Sequence, residues 1–333
     1  MNLSRPLRLL FLCAWTVLLP RQLHSADLNP LQPIPEADAA KYARALKLDG
    51  VGKNKLRRIF VRRDLEYIKR ETAPLTLDFY SPVRTPEDLS CIIVITGGGF
   101  SARTPSRFAP YAAYLATQGF ATACIGYRGR PDHHYRDTIR DTKAAVRFVR
   151  THASELGVDP HRIGAMGQSA GGHLAAMLAL SDGVSVFERE AGPYGVSSRI
   201  QAAVCFAGVF DFVSRLKEDG HQQYGLETKR RTNGEWIGLP FSETSEAWRE
   251  ASPLTHLDKT DPPLLLVHCR SDRTVPVAQS EQMFDAIKEV APSSRLLIFD
   301  EGGGHGITAA RDVNQAAWDA TMQFFRRTLQ KPE

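Results

Sequence analysis

Short apolar runs alternate along the chain with longer stretches of helical character. Ile92–Ile95, Ala121–Ile125, Ile163–Met166, Ala202–Phe206, Leu264–His268 and Leu296–Phe299 are too short for helices and nearly free of polar residues. Strands covered on both faces read this way. Helical stretches fall near 108–118, 137–152, 170–180, 277–290 and 311–329. In the second of these, Ile139, Val146 and Val149 recur at helical spacing. The stretch LEYIKRETAPLTLDFYSP, residues 65–82, alternates and is interrupted at Thr72-Ala73-Pro74, which predicts a hairpin. Regular exchange of strand and helix predicts an α/β fold, with a mostly parallel central sheet and helices on both faces.

Two segments depart from this rhythm. Residues 27–54 are Pro-rich and then weakly helical, and are expected to form an N-terminal arm before a single domain over 55–333. Residues 209–252 place Trp236 and Trp248 among many charges between two strands, the pattern of a small lid insertion. Packing within the insertion is the expected role of these two tryptophans, ahead of stacking on a ligand.

Composition changes the picture mainly at the N-terminus. Residues 1–26 contain Arg5, Arg8, Arg21 and no acid, with a mostly apolar core from Leu9 to Leu19 and a small-residue end at Ser25-Ala26. That core is too short to span a bilayer. The pattern predicts a cleaved signal peptide, a secreted or periplasmic mature protein, and no stable membrane anchor. Without the three arginines the net charge of +5 falls to +2. No basic block with interleaved aromatics is present, so nucleic acid is not an expected partner. Beyond Cys13, the cysteines Cys91, Cys124, Cys205 and Cys269 lie in or beside apolar strand runs. Buried free thiols are expected there, not a disulfide framework or a zinc site.

The chemistry concentrates in RIGAMGQSAGGHLAAM, residues 162–177. A strand over Ile163–Met166 passes almost directly into a buried helix, so the chain must bend sharply at Ser169. Gly167 and Gly171 flank it in the pattern Gly-x-Ser-x-Gly, the nucleophile elbow of α/β-hydrolases. The bend raises the hydroxyl above the sheet edge and aims the Ala170 N–H, at the helix start, toward a developing oxyanion. A serine nucleophile needs a base, and the base needs an orienting acid, in the chain order Ser, Asp/Glu, His. Asp272 lies in the loop after Leu264–His268, and His305 in the glycine-rich loop after Leu296–Phe299. Both loops leave the carboxyl ends of strands, where ligands gather in open α/β sheets. Asp300 is the alternative acid. The loop Gly97-Gly98-Gly99, directly after Ile92–Ile95, offers backbone N–H groups with no side chain in the way. The adjacent His133 and His134 read as solvated loop residues, and His268 as a structural histidine at the end of a buried strand.

Taken in order, TLDFYSP, TGGGF, DPHRIGAMGQSAGGHLA, ASPLTHL, PPLLLVHCRSDRTVP and GGGHG resemble the α/β-hydrolase esterases of the acetyl-esterase and feruloyl-esterase-like group, related to the hormone-sensitive-lipase branch. The likeness runs from about Leu65 to Phe325. It implies Ser169 as nucleophile, His305 as base and Asp272 as acid, with Gly98, Gly99 and Ala170 forming the oxyanion hole. It further implies acyl transfer through an acyl-enzyme, with no metal or organic cofactor. Small-molecule or carbohydrate esters, short-acyl or feruloyl, are the substrates it suggests. Thr96 stands where the family usually has a histidine that braces the glycine loop, Gln168 where an acid or histidine is commoner, and Cys269 where glycine is usual. Two alternatives remain open to the sequence. One is a prolyl-oligopeptidase-like peptidase, although no propeller repeats precede the sheet. The other is a non-catalytic binding protein on the same fold.

Overall fold

Side by side, the apolar runs pair into one sheet. The computed structural model describes residues 28–71, 73–82, 88–189, 192–193, 195–217, 224–300, 303–306 and 311–329. The expected signal segment lies outside them. Among the described residues there are nine strands: β1 Gln32–Pro33, β2 Phe60–Ile68, β3 Leu75–Ser81, β4 Leu89–Ile95, β5 Ala121–Ile125, β6 Val158–Gln168, β7 Ala202–Phe206, β8 Leu264–Cys269 and β9 Arg295–Phe299. Their order is β1-β2-β3-β5-β4-β6-β7-β8-β9. The six strands from β5 to β9 run parallel, and β1, β2 and β3 extend the sheet antiparallel.

All six expected strands are present, and the hairpin over 65–82 is the β2–β3 pair, with Phe60 opposite Ser81 and Ile68 opposite Leu75. The five helical stretches become helices Ala109–Thr117, Tyr135–Thr151, Ala170–Leu180, Ala278–Val290 and Arg311–Leu329. Residues before the hairpin add β1 to the sheet edge and a helix, Glu36–Leu46, whose Ala39, Tyr42 and Leu46 are buried. No helix among the described residues is long and apolar enough to cross a membrane.

Two-residue periodicity divides the core. Ile93, Ile95, Ala165 and Cys205 face one side of the sheet, under helices Tyr135–Thr151 and Ala170–Leu180. Ile92, Val94, Met166 and Val204 face the other, against Ala109–Thr117 and the C-terminal helix. Side chains of successive strand residues point to opposite faces, so uninterrupted apolar runs supply both layers. The four cysteines of the described chain are buried and free. Burial pushes the Cys91 thiol up to about 12, and such thiols are inert toward oxidation and exchange.

The site follows from the topology. β4 lies between β5 and β6, so the connections from its neighbours run in opposite directions, and a crevice opens at the carboxyl ends of β4 and β6. Helix Ala170–Leu180 packs so tightly there that a Cβ on Gly171 would lie 2.1 Å from the Ile95 carbonyl oxygen. That oxygen belongs to the backbone of a central strand and cannot swing aside. Gly171→Ala is therefore expected to lower stability by ~1–3 kcal/mol through overpacking. The check is the urea midpoint at unchanged m-value; a midpoint equal to wild type contradicts this packing.

Candidate active site

Ser169 directly follows β6 and caps helix Ala170–Leu180 with φ 57° and ψ −122°. A non-glycine residue there carries backbone strain of ~1–3 kcal/mol. The surroundings hold it: the Ser169 N–H donates to the Phe206 carbonyl at 2.8 Å, and its carbonyl accepts from the His173 N–H at 3.0 Å. His173 in turn donates Nδ1–H to the Val209 carbonyl at 2.8 Å, tying the helix to the start of the 209–252 segment. Burial pushes His173 down to about 3, so it is neutral.

Three side chains line up from the serine inward. The Ser169 hydroxyl donates to His305 Nε2 at 2.9 Å, and His305 Nδ1–H donates to Asp272 Oδ2 at 2.8 Å. A carboxylate only accepts, so it assigns the proton to Nδ1 and leaves Nε2 free to take the serine proton. Asp272 Oδ1 accepts the N–H groups of Thr274 and Val275 at 2.7 and 3.0 Å. Burial alone would raise Asp272. The hydrogen bonds from His268 and His305, the His305 charge and the Val275 N–H outweigh it and hold the carboxyl well below the usual range. His268 fits the structural role read from its strand position. It accepts at Nδ1 from Ser280 at 2.7 Å, and its Nε2–H faces the Val275 carbonyl at 3.0 Å and Asp272 Oδ2 at 3.2 Å. Asp300, the alternative acid, is exposed and pairs with Arg270 at 2.9 Å.

Gly98, Gly99 and Ala170 line the same cavity as Ser169 and His305, which has a volume of about 470 Å³. The glycine loop is anchored by groups that sequence reasoning missed. Arg103 donates Nε–H to the Gly97 carbonyl at 3.1 Å and Nη2–H to the Gly98 carbonyl at 2.6 Å. Arg130 donates to the Gly99 carbonyl at 2.7 Å. A trans peptide points its N–H opposite its C=O, so holding the Gly97 and Gly98 carbonyls aims the N–H groups of Gly98 and Gly99 away from Arg103. Gly98 has φ 141°, and a Cβ there would fall 1.8 Å from the Arg103 guanidinium. Thr96, in the usual histidine's place, is buried, and its carbonyl accepts from Tyr127 at 2.5 Å. Two arginines outside any motif thus brace the loop. Gln168 likewise has a positioning role: its amide donates to the His305 carbonyl at 2.8 Å.

The described part of the 209–252 segment forms helices Phe212–Arg215, Leu226–Ile237 and Glu246–Glu250. Trp236 and Trp248 are fully buried. Trp236 stacks on Phe100 of the glycine loop with centroids 3.9 Å apart, and its indole N–H donates to Thr138 at 2.9 Å. Both tryptophans thus pack the insertion instead of facing a ligand. His133 lies 3.6 Å from Asp137, and His134 contacts the Glu235 carbonyl. No cluster of three or more metal-ligating side chains occurs among the described residues.

The BD-FAE family model matches residues 77–287. The chain belongs to the BD-FAE family. A probable carboxylic ester hydrolase, LipM, from Mycobacterium tuberculosis is 35% identical over 182 residues, 55% of this chain and 41% of that protein. The chain spans about half the length of the curated relatives it matches. Among solved structures, a truncated carbohydrate esterase from gut microbiota superposes with a TM-score of 0.69 at 25% identity, covering 81% of this chain and 96% of that one. A thermophilic esterase from Thermogutta terrifontis with propionate bound gives 0.63 at 30% identity, covering 79% and 92%. The expected α/β-hydrolase fold is shown by these BD-FAE comparisons and by the sheet itself.

A consequence for stability follows from Asp272. Its folded-state pKa is depressed, so its contribution is full above the unfolded carboxylate value of ~3.9 and is lost as pH falls below it. Asp272→Asn is expected to be less stable than wild type at pH 6, with the gap in urea midpoint narrowing below pH ~4. A gap that widens on acidification contradicts the assigned hydrogen bonding.

Proposed function

We propose that this chain is an exported serine carboxylic ester hydrolase that works through an acyl-enzyme. The observation that carries the reading is the hydrogen-bonded line Ser169–His305–Asp272 beside the N–H groups of Gly98, Gly99 and Ala170. In this mechanism His305 Nε2 takes the Ser169 proton as Oγ attacks the ester carbonyl carbon. The carbonyl oxygen becomes an oxyanion held by the three N–H groups, and Asp272 stabilises the imidazolium. The tetrahedral intermediate collapses, and His305 gives the proton to the leaving alcohol. Water, deprotonated by the same nitrogen, then attacks the acyl-Ser169 ester, and the second collapse releases the acid and restores the serine. All bond changes are accounted for by side chains already in the site.

Short-acyl or carbohydrate-linked esters are the proposed substrates. The cavity volume suits a small molecule. The likeness to an esterase with bound propionate and to a carbohydrate esterase supports the same class. Export rests on the basic start and short apolar core of residues 1–26.

Hydrolysis of p-nitrophenyl acetate, butyrate and octanoate tests the reading. The shorter esters are expected to be preferred, and Ser169→Ala to lower kcat by ~10⁴–10⁶ without loss of folding. His305→Ala should cost a similar amount, and the double variant no more than either, because the residues act as a unit. Near-wild-type turnover by Ser169→Ala would rule the mechanism out.

A further inference from the structure

Four consecutive carbonyls of the glycine loop are taken by three side chains. Tyr127 donates its hydroxyl to the Thr96 carbonyl at 2.5 Å, Arg103 donates to those of Gly97 at 3.1 Å and Gly98 at 2.6 Å, and Arg130 donates to that of Gly99 at 2.7 Å. The donors belong to one unit. Arg103 and Tyr127 exchange backbone hydrogen bonds, each at 3.0 Å, and the Arg130 N–H donates to the Phe100 carbonyl at 2.9 Å. Bridges of strand type join Ser101 to Arg130 and Arg103 to Tyr127. Residues 101–103 and 127–130 thus fix each other as well as the loop.

Arg103 differs from the other two in holding a pair of carbonyls. Along an extended chain successive peptide groups point to opposite sides. Here two successive carbonyls meet one guanidinium, so both peptides point the same way. Gly98 allows it by adopting φ 141°, a conformation open to glycine and strained for other residues. The N–H of a trans peptide lies opposite its carbonyl, so those of Gly98 and Gly99 both leave on the side away from Arg103. Successive N–H groups turned to one side form an anion-binding concavity. In an extended loop only one of the two could face a given oxyanion. Gly98, Gly99 and Ser169 line the cavity, and Arg103 is not among the described residues that do. It acts on the loop from behind and not on the substrate.

We infer that Arg103 is a positioning residue for catalysis: its guanidinium turns both loop donors toward one oxyanion, so that its loss lowers kcat and leaves KM nearly unchanged. This rests on the hydrolase reading above and assigns part of the rate to a side chain outside the cavity. The split between kcat and KM follows from where charge develops. The ester carbonyl of the bound substrate is neutral and draws little on the two N–H groups, whereas the tetrahedral intermediate draws on both. The role also depends on the shape of the guanidinium. A planar fork meets two acceptors at a fixed spacing, and an ammonium, being a point charge, imposes no such spacing.

The test compares Arg103→Ala and Arg103→Lys with wild type on p-nitrophenyl acetate, using the full chain, with Ser169→Ala alongside and folding followed by the urea midpoint. Arg103→Ala is expected to lower kcat by ~10²-fold with KM altered by less than ~3-fold. Arg103→Lys should recover only a small part of the loss. The shape of the pH profile of kcat/KM should stay as in wild type, because the bonds of His305 to Ser169 and Asp272 are not touched. Guanidinium at millimolar concentration should restore part of the Arg103→Ala rate, and methylammonium should not. A folded Arg103→Ala protein with wild-type kcat, a loss carried by KM, a displaced pH profile, or a fully active Arg103→Lys would each overturn the inference while the hydrolase reading stands. If Arg103→Ala does not fold, Arg103→Lys decides; if neither folds, Arg103 serves the fold and the inference fails. Absence of Ser169-dependent turnover in wild type would instead overturn the hydrolase reading itself.

Discussion

The geometry of the site depends on one strained residue. Ser169 is held at φ 57°, between a strand and a helix with no loop to absorb the turn. The strain is sustained because the helix is locked against the sheet: Gly171 lies almost in contact with the Ile95 carbonyl, and the Phe206 carbonyl takes the Ser169 N–H. These contacts come from β4 and β7, the neighbours of β6 on either side. The parallel core of the sheet is therefore what keeps the serine hydroxyl above the edge, where His305 reaches it from the β9 side.

The second constraint is the orientation of peptide groups in the glycine loop. Three glycines have no side chains with which to fix themselves, so their conformation must come from outside. Arg103 and Arg130 supply it by taking the carbonyls, and Phe100 adds a packed end by stacking on Trp236. Arg130 also pairs with Glu235, and helix Ala170–Leu180 reaches the insertion through His173. The insertion is thus joined to the glycine loop and to the serine helix at separate points. Its helices shape the cavity and also stiffen the groups expected to bind the oxyanion.

Much of this was legible in the chain. Apolar runs with no polar break identify central strands because both faces of the sheet are covered, and Ser169, Asp272 and His305 each follow such a run. The start of β6 was not legible: Val158 to Arg162 includes Asp159, Pro160 and His161, which give no apolar signal, and of these five residues only Val158 has a partner on β4, Leu89. β1 was missed for the same reason, being two exposed residues at the sheet edge. In the site, the grouping of Ser169, His305 and Asp272 was readable because all three sit at strand ends in a fixed order. Arg103 and Arg130 were not, since a guanidinium that bonds to backbone carbonyls leaves no pattern in sequence. The pairing of Phe100 with Trp236 joins residues far apart in the chain, and neither residue's neighbours indicate the other. The basic groups that line the cavity among the described residues, Arg107, Arg130, Arg215 and Lys229, are invisible for a related reason: they come from different elements and gather only on folding.

Activation of Ser169 by His305 is the central claim, and a covalent probe reads it without a choice of substrate. The wild-type protein would be treated with a fluorophosphonate, the adduct located by peptide mass spectrometry, and its rate of formation compared with that in His305→Ala. The account predicts a single adduct, on Ser169, that forms far more slowly once the imidazole is gone. Labelling of another residue, or labelling of Ser169 at the same rate without His305, would contradict it.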